Sequence, residues 1–122
     1  MRGSSNTAIG YGNRGVGYGN ILEGEGNHAY GYYNHGIGYG NYLSGEGNYG
    51  KGKKNWIEGG WNSGIGVGHR IEGYGNYATG YGNIVHGVKN TASGESNKIF
   101  GKFNKAKGIG NSVYGERNSV VG

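Results

Sequence analysis

The chain contains no cysteine, no proline and no aspartate. Without cysteine there is no disulfide framework and no thiolate zinc site, and the compartment is left open. Without proline nearly every backbone amide is free to donate to a sheet ladder. Without aspartate the acidic turns on which calcium-binding, glycine-rich rolls depend cannot be built. Apolar residues are also scarce, at 33%, which is little for an ordinary packed core. No apolar run is long enough for a signal peptide or a membrane span, so no membrane insertion is expected and any export signal is expected outside this chain.

What is present is repetition. Of 122 residues, 32 are Gly and 12 are Tyr, and the formal charge of +5 is scattered except for the run "KGKK" at Lys51 to Lys54. Counting heptads from Asn6, the fifth position is Gly without exception from Gly10 to Gly122, and the first is Asn up to Asn118 except where His69 stands. Seventeen heptads, the last one short, fill residues 6–122, and residues 1–5 read as a leader. A coiled coil would carry a glycine in every second turn at a cost of about 1 kcal/mol each, and the apolar seam is missing. The period therefore predicts an all-β parallel solenoid, each heptad giving a strand of about three or four residues (positions two to four) and a bend. Gly accepts positive φ freely and Asn is next best, so Asn13, Gly17, Asn20, Gly24, Asn41, Gly45, Asn83 and Gly87 are expected to mark turns. The Asn column is also expected to form an amide ladder between stacked coils.

Side chains alternate along a strand, which sends position three inward. From Gly36 onward that position reads Gly, Leu43, Gly50, Ile57, Gly64, Ile71, Ala78, Val85, Ala92, Ile99, Ala106, Val113. Small and branched residues alternate, so a coil of two heptads would fill a narrow interior of constant width in a two-sided β-roll. The first six heptads support an alternative. Residues 6–26 resemble residues 27–47 at a spacing of three heptads, as a triangular solenoid would. An interior fed by about one branched side chain per coil is thin against the cost of ordering the backbone of two whole heptads, which predicts an oligomer.

At "NTAIGYGN" and "NSVYGERNSVVG" the sequence resembles the heptapeptide head repeat of YadA-like trimeric autotransporter adhesins. The resemblance covers residues 6–122. It implies a left-handed β-roll with two heptads per coil, three chains side by side, and a role in attachment at a cell surface; similar repeats would suit a phage tail fibre on a virion. Position four, aliphatic in such heads, is here often charged or aromatic, as at Glu23, Tyr30, Lys51, Glu58, Glu72 and His86.

For chemistry the sequence offers little. No nucleophile and base are paired, the seven Glu fall at positions four and six, and no GK[ST] follows the glycines, so no enzyme and no cofactor are expected. His28, His35, His69 and His86 lack metal-ligand spacing, and a two-sided roll puts His28 and His35 on opposite faces. Nucleic-acid binding is disfavoured, because Glu interrupts the basic residues and no RNP-like motif occurs. Aromatic residues carry more. Position two of alternate heptads stacks His28, Tyr42, Trp56, Arg70, Ile84 and Lys98 on one face, flanked at position four by Tyr30 and His86. His28, Tyr30, Tyr42, Trp56, Arg70 and His86 are therefore the candidate ligand-binding residues, suited to the apolar face of a sugar or to a partner's aromatic side chain. The opposite face, with Ile9, Ile37, Ile65 and Val121 among Lys51, Thr79 and Lys107, is the candidate subunit contact. The expected function is a surface attachment module recognising host glycan or matrix protein. The alternatives are a self-assembling filament or sheath and, as a minor option, an ice-binding surface.

Overall fold

The computed structural model describes residues 1–122. The chain folds into eighteen short strands in two nine-stranded sheets, every pairing parallel, with successive strands alternating between a front and a back sheet. Trp56 pairs with Arg70 and Arg70 with Ile84, a step of two heptads along the chain for one strand across the sheet. The molecule is thus a two-sided parallel β-roll of nine coils, and the triangular alternative is excluded because no strand pairs with another three heptads away. The resemblance between residues 6–26 and 27–47 does not set the turn length. Strands are longer than the repeat alone suggested. Most span five residues, as in Arg70–Tyr74, and run through the invariant glycine. The supposed leader also takes part, since Arg2–Ser4 is a strand paired with Arg14–Tyr18.

Two positions bend each heptad. The fifth-position glycines from Gly3 to Gly115 hold φ between 98° and 134°, and position seven holds φ between 52° and 69°. Glycine is obligatory at position five for a second reason: a Cβ on Gly45 or Gly73 would overlap the carbonyl oxygen of the glycine one coil on, Gly59 or Gly87. At position seven no carbonyl blocks a side chain, although the rings of Tyr33 and Trp61 crowd Gly19 and Gly47. Tyr33, Lys54, Trp61, Lys89, Ser96, Phe103 and Arg117 all adopt the left-handed conformation there.

The asparagines lie at the bends between strands, as expected, but not in the left-handed conformation. None of the asparagines has positive φ, and their contribution is made by the side chain. Asn41 Nδ2 donates to the carbonyls of Ile37 (3.0 Å) and Gly52 (3.1 Å), while its Oδ1 accepts from the backbone N–H of Asn55 at 3.2 Å. Asn83 repeats this with Thr79, Gly94 and Asn97, Asn13 with Ile9, Gly24 and Asn27, and Asn20 with Val16, Gly31 and Asn34. Each amide tethers two adjacent strands of the sheet opposite to the strand it leads into. A planar group with two donors and one acceptor satisfies all three bonds without a proton to lose. The asparagines from Asn20 to Asn104 are buried, and their amides are bonded as buried polar groups require.

Between these amide rails runs the apolar column. Leu22, Ala29, Leu43, Ile57, Ile71, Ala78, Val85, Ala92, Ile99, Ala106 and Val113 form the whole core. From Leu43 to Val113 the large residue comes from the front sheet and the Gly or Ala from the back, and Val120 follows on the back sheet. In the coil of Leu22 and Ala29 the assignment is reversed, with Leu22 on the back sheet. One large residue per coil fills the space from either wall. The coil of Ala8 and Gly15 has none, and Met1 partly serves instead. Its thioether lies over Gly15, whose N–H donates to Sδ at 3.1 Å, although Ala8 on the edge strand stays exposed.

Candidate functional site

All six residues singled out for binding lie on the outer surface of the front sheet, but in two groups. In the first, Tyr42 stacks on Trp56 with ring centroids 4.4 Å apart and an angle of 25°. Tyr30 leans on Tyr42 at 5.7 Å, and His28 meets Tyr30 edge-on at 6.5 Å. The parallel register places these side chains on neighbouring strands, His28 beside Tyr42 and Tyr42 beside Trp56, about 4.8 Å apart. Trp56 leaves 43% of its surface in solvent. Such offset rings stabilise one another by about 0.5–1.5 kcal/mol per pair and leave an apolar face outward.

The second group lies further along the same sheet. Arg70 donates from Nε and Nη2 to Oε1 of Glu72 at 3.1 and 3.0 Å, and His86 Nε2 lies 3.1 Å from Oε2. Both oxygens of Glu72 are engaged, which holds the Arg70 fork and the His86 ring in place. Beyond His86, Phe100 stacks on Tyr114 at 5.4 Å and 6°. Arg70, Glu72, Ile84, His86 and Phe100 surround a depression of about 280 Å³. Glu72, Phe100 and Tyr114 were not among the expected site residues. They occupy position four in steps of two heptads around His86, so carrying the column onward from Tyr30 and His86 would have found them.

Aromatic residues also line the corner where front strands turn to the back. Trp61 lies flat over Gly47, as Tyr33 does over Gly19 and Tyr74 over Gly60; a Cβ on any of these glycines would meet the ring within 2.9 Å. Tyr18 meets Tyr33 edge-on at 5.7 Å. Of the six position-six tyrosines, Tyr18, Tyr32 and Tyr74 follow front strands while Tyr11, Tyr39 and Tyr81 follow back strands, so they divide between the two edges. The back sheet is plainer: its position-four column alternates Ile9, Glu23, Ile37, Lys51 and Ile65 before Thr79 and Ser93.

One buried group titrates. His69 replaces asparagine in the rail, with Nε2 3.0 Å from the Ile65 carbonyl and Nδ1 accepting the N–H of Asn83 at 3.2 Å. Burial pulls its pKa below the ordinary imidazole value, opposed by the neighbouring backbone carbonyls of Ile65 and Gly80. His28 lies on the front sheet and His35 on the back. No helix is long and apolar enough to cross a membrane. The chain matches no protein-family model, and no curated protein is similar to it.

Proposed function

We propose that the roll is a non-enzymatic attachment module, the head of a surface adhesin or a segment of a phage tail fibre, exposed outside the cell or on a virion. Its front sheet meets host glycan or matrix protein through outward aromatic and basic side chains. The observation that carries this reading is the ring strip His28, Tyr30, Tyr42 and Trp56, contiguous ring to ring, with Tyr42 stacked on Trp56, three rings half-buried and Trp56 exposed. A column with one outward side chain per coil offers several weak contacts on a rigid support, and avidity turns these into firm attachment. The left-handed, trimeric arrangement belongs to the same proposal, with the isoleucines of the back sheet at the subunit contact. Ile9 alone is 60% exposed, and eleven core residues are few for nine coils standing by themselves. A glycan array probed with wild type and Trp56→Ala tests the reading. Loss of signal in the variant supports it, and a wild type that binds neither glycan nor immobilised matrix protein refutes it.

A second reading, a self-stacking filament or sheath, is favoured by the ladder itself. Every rail residue from Asn6 to Asn104 accepts a backbone N–H one coil on, a bond that repeats from coil to coil along the axis. Electron micrographs of purified protein distinguish the two, since discrete particles exclude the filament and long fibres exclude the isolated head.

A further inference from the structure

The depression at Ile84 differs in kind from the ring strip. Arg70, Ile84 and Lys98 are consecutive partners across three adjacent strands, so an aliphatic floor lies between two cationic side chains whose Cα atoms stand about 9.6 Å apart. One wall of the depression is formed by Glu72 and His86, and another by the ring of Phe100. Glu72 accepts both Arg70 bonds on Oε1 and has His86 Nε2 3.1 Å from Oε2, so it fixes the guanidinium. Arg70 keeps its Nη1 hydrogens, and Lys98 makes no ion pair. Within the lining Arg70 is balanced by Glu72, and the surplus positive charge comes from Lys98, which stands beside Ile84 on the next strand, at the edge of the depression. The surroundings reinforce it: residues 89–122 hold six of the twelve Lys and Arg but only Glu95 and Glu116, a net charge of +4 out of the chain's +5.

We infer that this depression binds an acidic saccharide unit, a pyranose ring bearing one carboxylate or sulfate. The inference rests on the attachment reading and names the ligand class of one seat on that face. The size suits a single ring, because about 280 Å³ lies just below the range of about 300–1,000 Å³ usual for small-molecule pockets. The apolar face of the ring packs on Ile84 and Phe100. Its anionic group sits between the free edge of Arg70 and the Lys98 ammonium, where planar donors and a mobile point charge suit an oxyanion. A neutral sugar would gain the packing and forgo the charge.

Amide chemical-shift mapping of the intact protein tests this, with glucuronate, glucose and inorganic sulfate as separate probes. Glucuronate is expected to give saturable shifts at Ile84, His86 and Lys98. Arg70→Ala or Lys98→Ala should weaken that binding by about tenfold, as expected for one charge-assisted contact, and Phe100→Ala should weaken it as well. All three side chains point outward, so unchanged circular dichroism will show that the fold survives. Equal affinity for glucose, or an equal response to sulfate alone, overturns the acidic-saccharide assignment. Shifts confined to Tyr42 and Trp56 overturn the seat while leaving the attachment reading intact. Loss of both the glucuronate shifts and all array binding overturns both.

Discussion

At Gly73 two requirements coincide in one residue. Its φ of 124° is closed to side chains, and a Cβ would run into the Gly87 carbonyl of the next coil. Gly73→Ala is therefore expected to cost more than about 3 kcal/mol, summing backbone strain and overlap with a neighbour that cannot yield. Denaturant unfolding measures it, and an unchanged midpoint would contradict the close approach. His69 shows the opposite case, a rail position occupied by the wrong side chain. The folded protein keeps the imidazole neutral while the unfolded chain takes up a proton below 6.5, so acid favours unfolding. Stability is complete above 6.5 and declines as the pH falls from there to the lowered folded value. His69→Asn should abolish that slope and raise stability by about 1 kcal/mol, since the amide regains its second donor. Melting temperatures of both proteins measured from neutral to mildly acidic pH decide the matter, and identical slopes would rule out His69 as the source.

Among elements, the apolar column explains why strands come in unequal pairs. Gly64 on the back sheet faces a gap so narrow that an added Cβ would stand 3.1 Å from Cδ1 of both Ile57 and Ile71. Where the back strand carries Ala instead, the front strand of the same coil carries the smaller Val85 or Val113 at Ala78 and Ala106, but Ile99 at Ala92. Gly64→Ala is thus expected to cost about 1–3 kcal/mol, and adding Ile71→Val should recover part of it. A double-mutant cycle in urea reads this coupling; strictly additive losses would mean that the two walls do not share one volume. The alternation of small and branched residues was legible before any coordinates were known, because volume per coil is a local sum. The reversal at Leu22 was also present in the residues, but it makes sense only once the coil is known to hold two heptads.

Across the whole molecule the two faces are unlike. The front carries the Tyr42–Trp56 and Phe100–Tyr114 stacks, an engaged Glu72 and Lys98, while the back carries isoleucine, short polar residues and lysine at position four beside His35, Tyr49 and Tyr77 at position two. If three copies meet through the back sheet, Ile37→Glu together with Ile65→Glu should convert the trimer to monomer. Sedimentation velocity measures this, and a wild type that sediments as a folded monomer would refute the assembly. The front-face residues should be indifferent to this change, because side chains at position four of the back sheet point away from the interior and the front sheet.

The sequence alone determined that the chain bends every heptad, that position three lies inside and that His28, Tyr42, Trp56 and Arg70 share a face. All three follow from a short period acting on the alternation of side chains along a strand. The coil length, the part played by asparagine and the Arg70–Glu72–His86–Phe100 depression were decided by the tertiary structure. A heptad closes equally well on two sides or three until the interior is filled. An asparagine amide reaches a carbonyl in the strand before it and another in the strand after next, as Asn41 does with Ile37 and Gly52, only when the next coil stands beside it. The depression arises because strands two heptads apart lie edge to edge, so that a lone aliphatic residue, Ile84, comes to rest between Arg70 and Lys98.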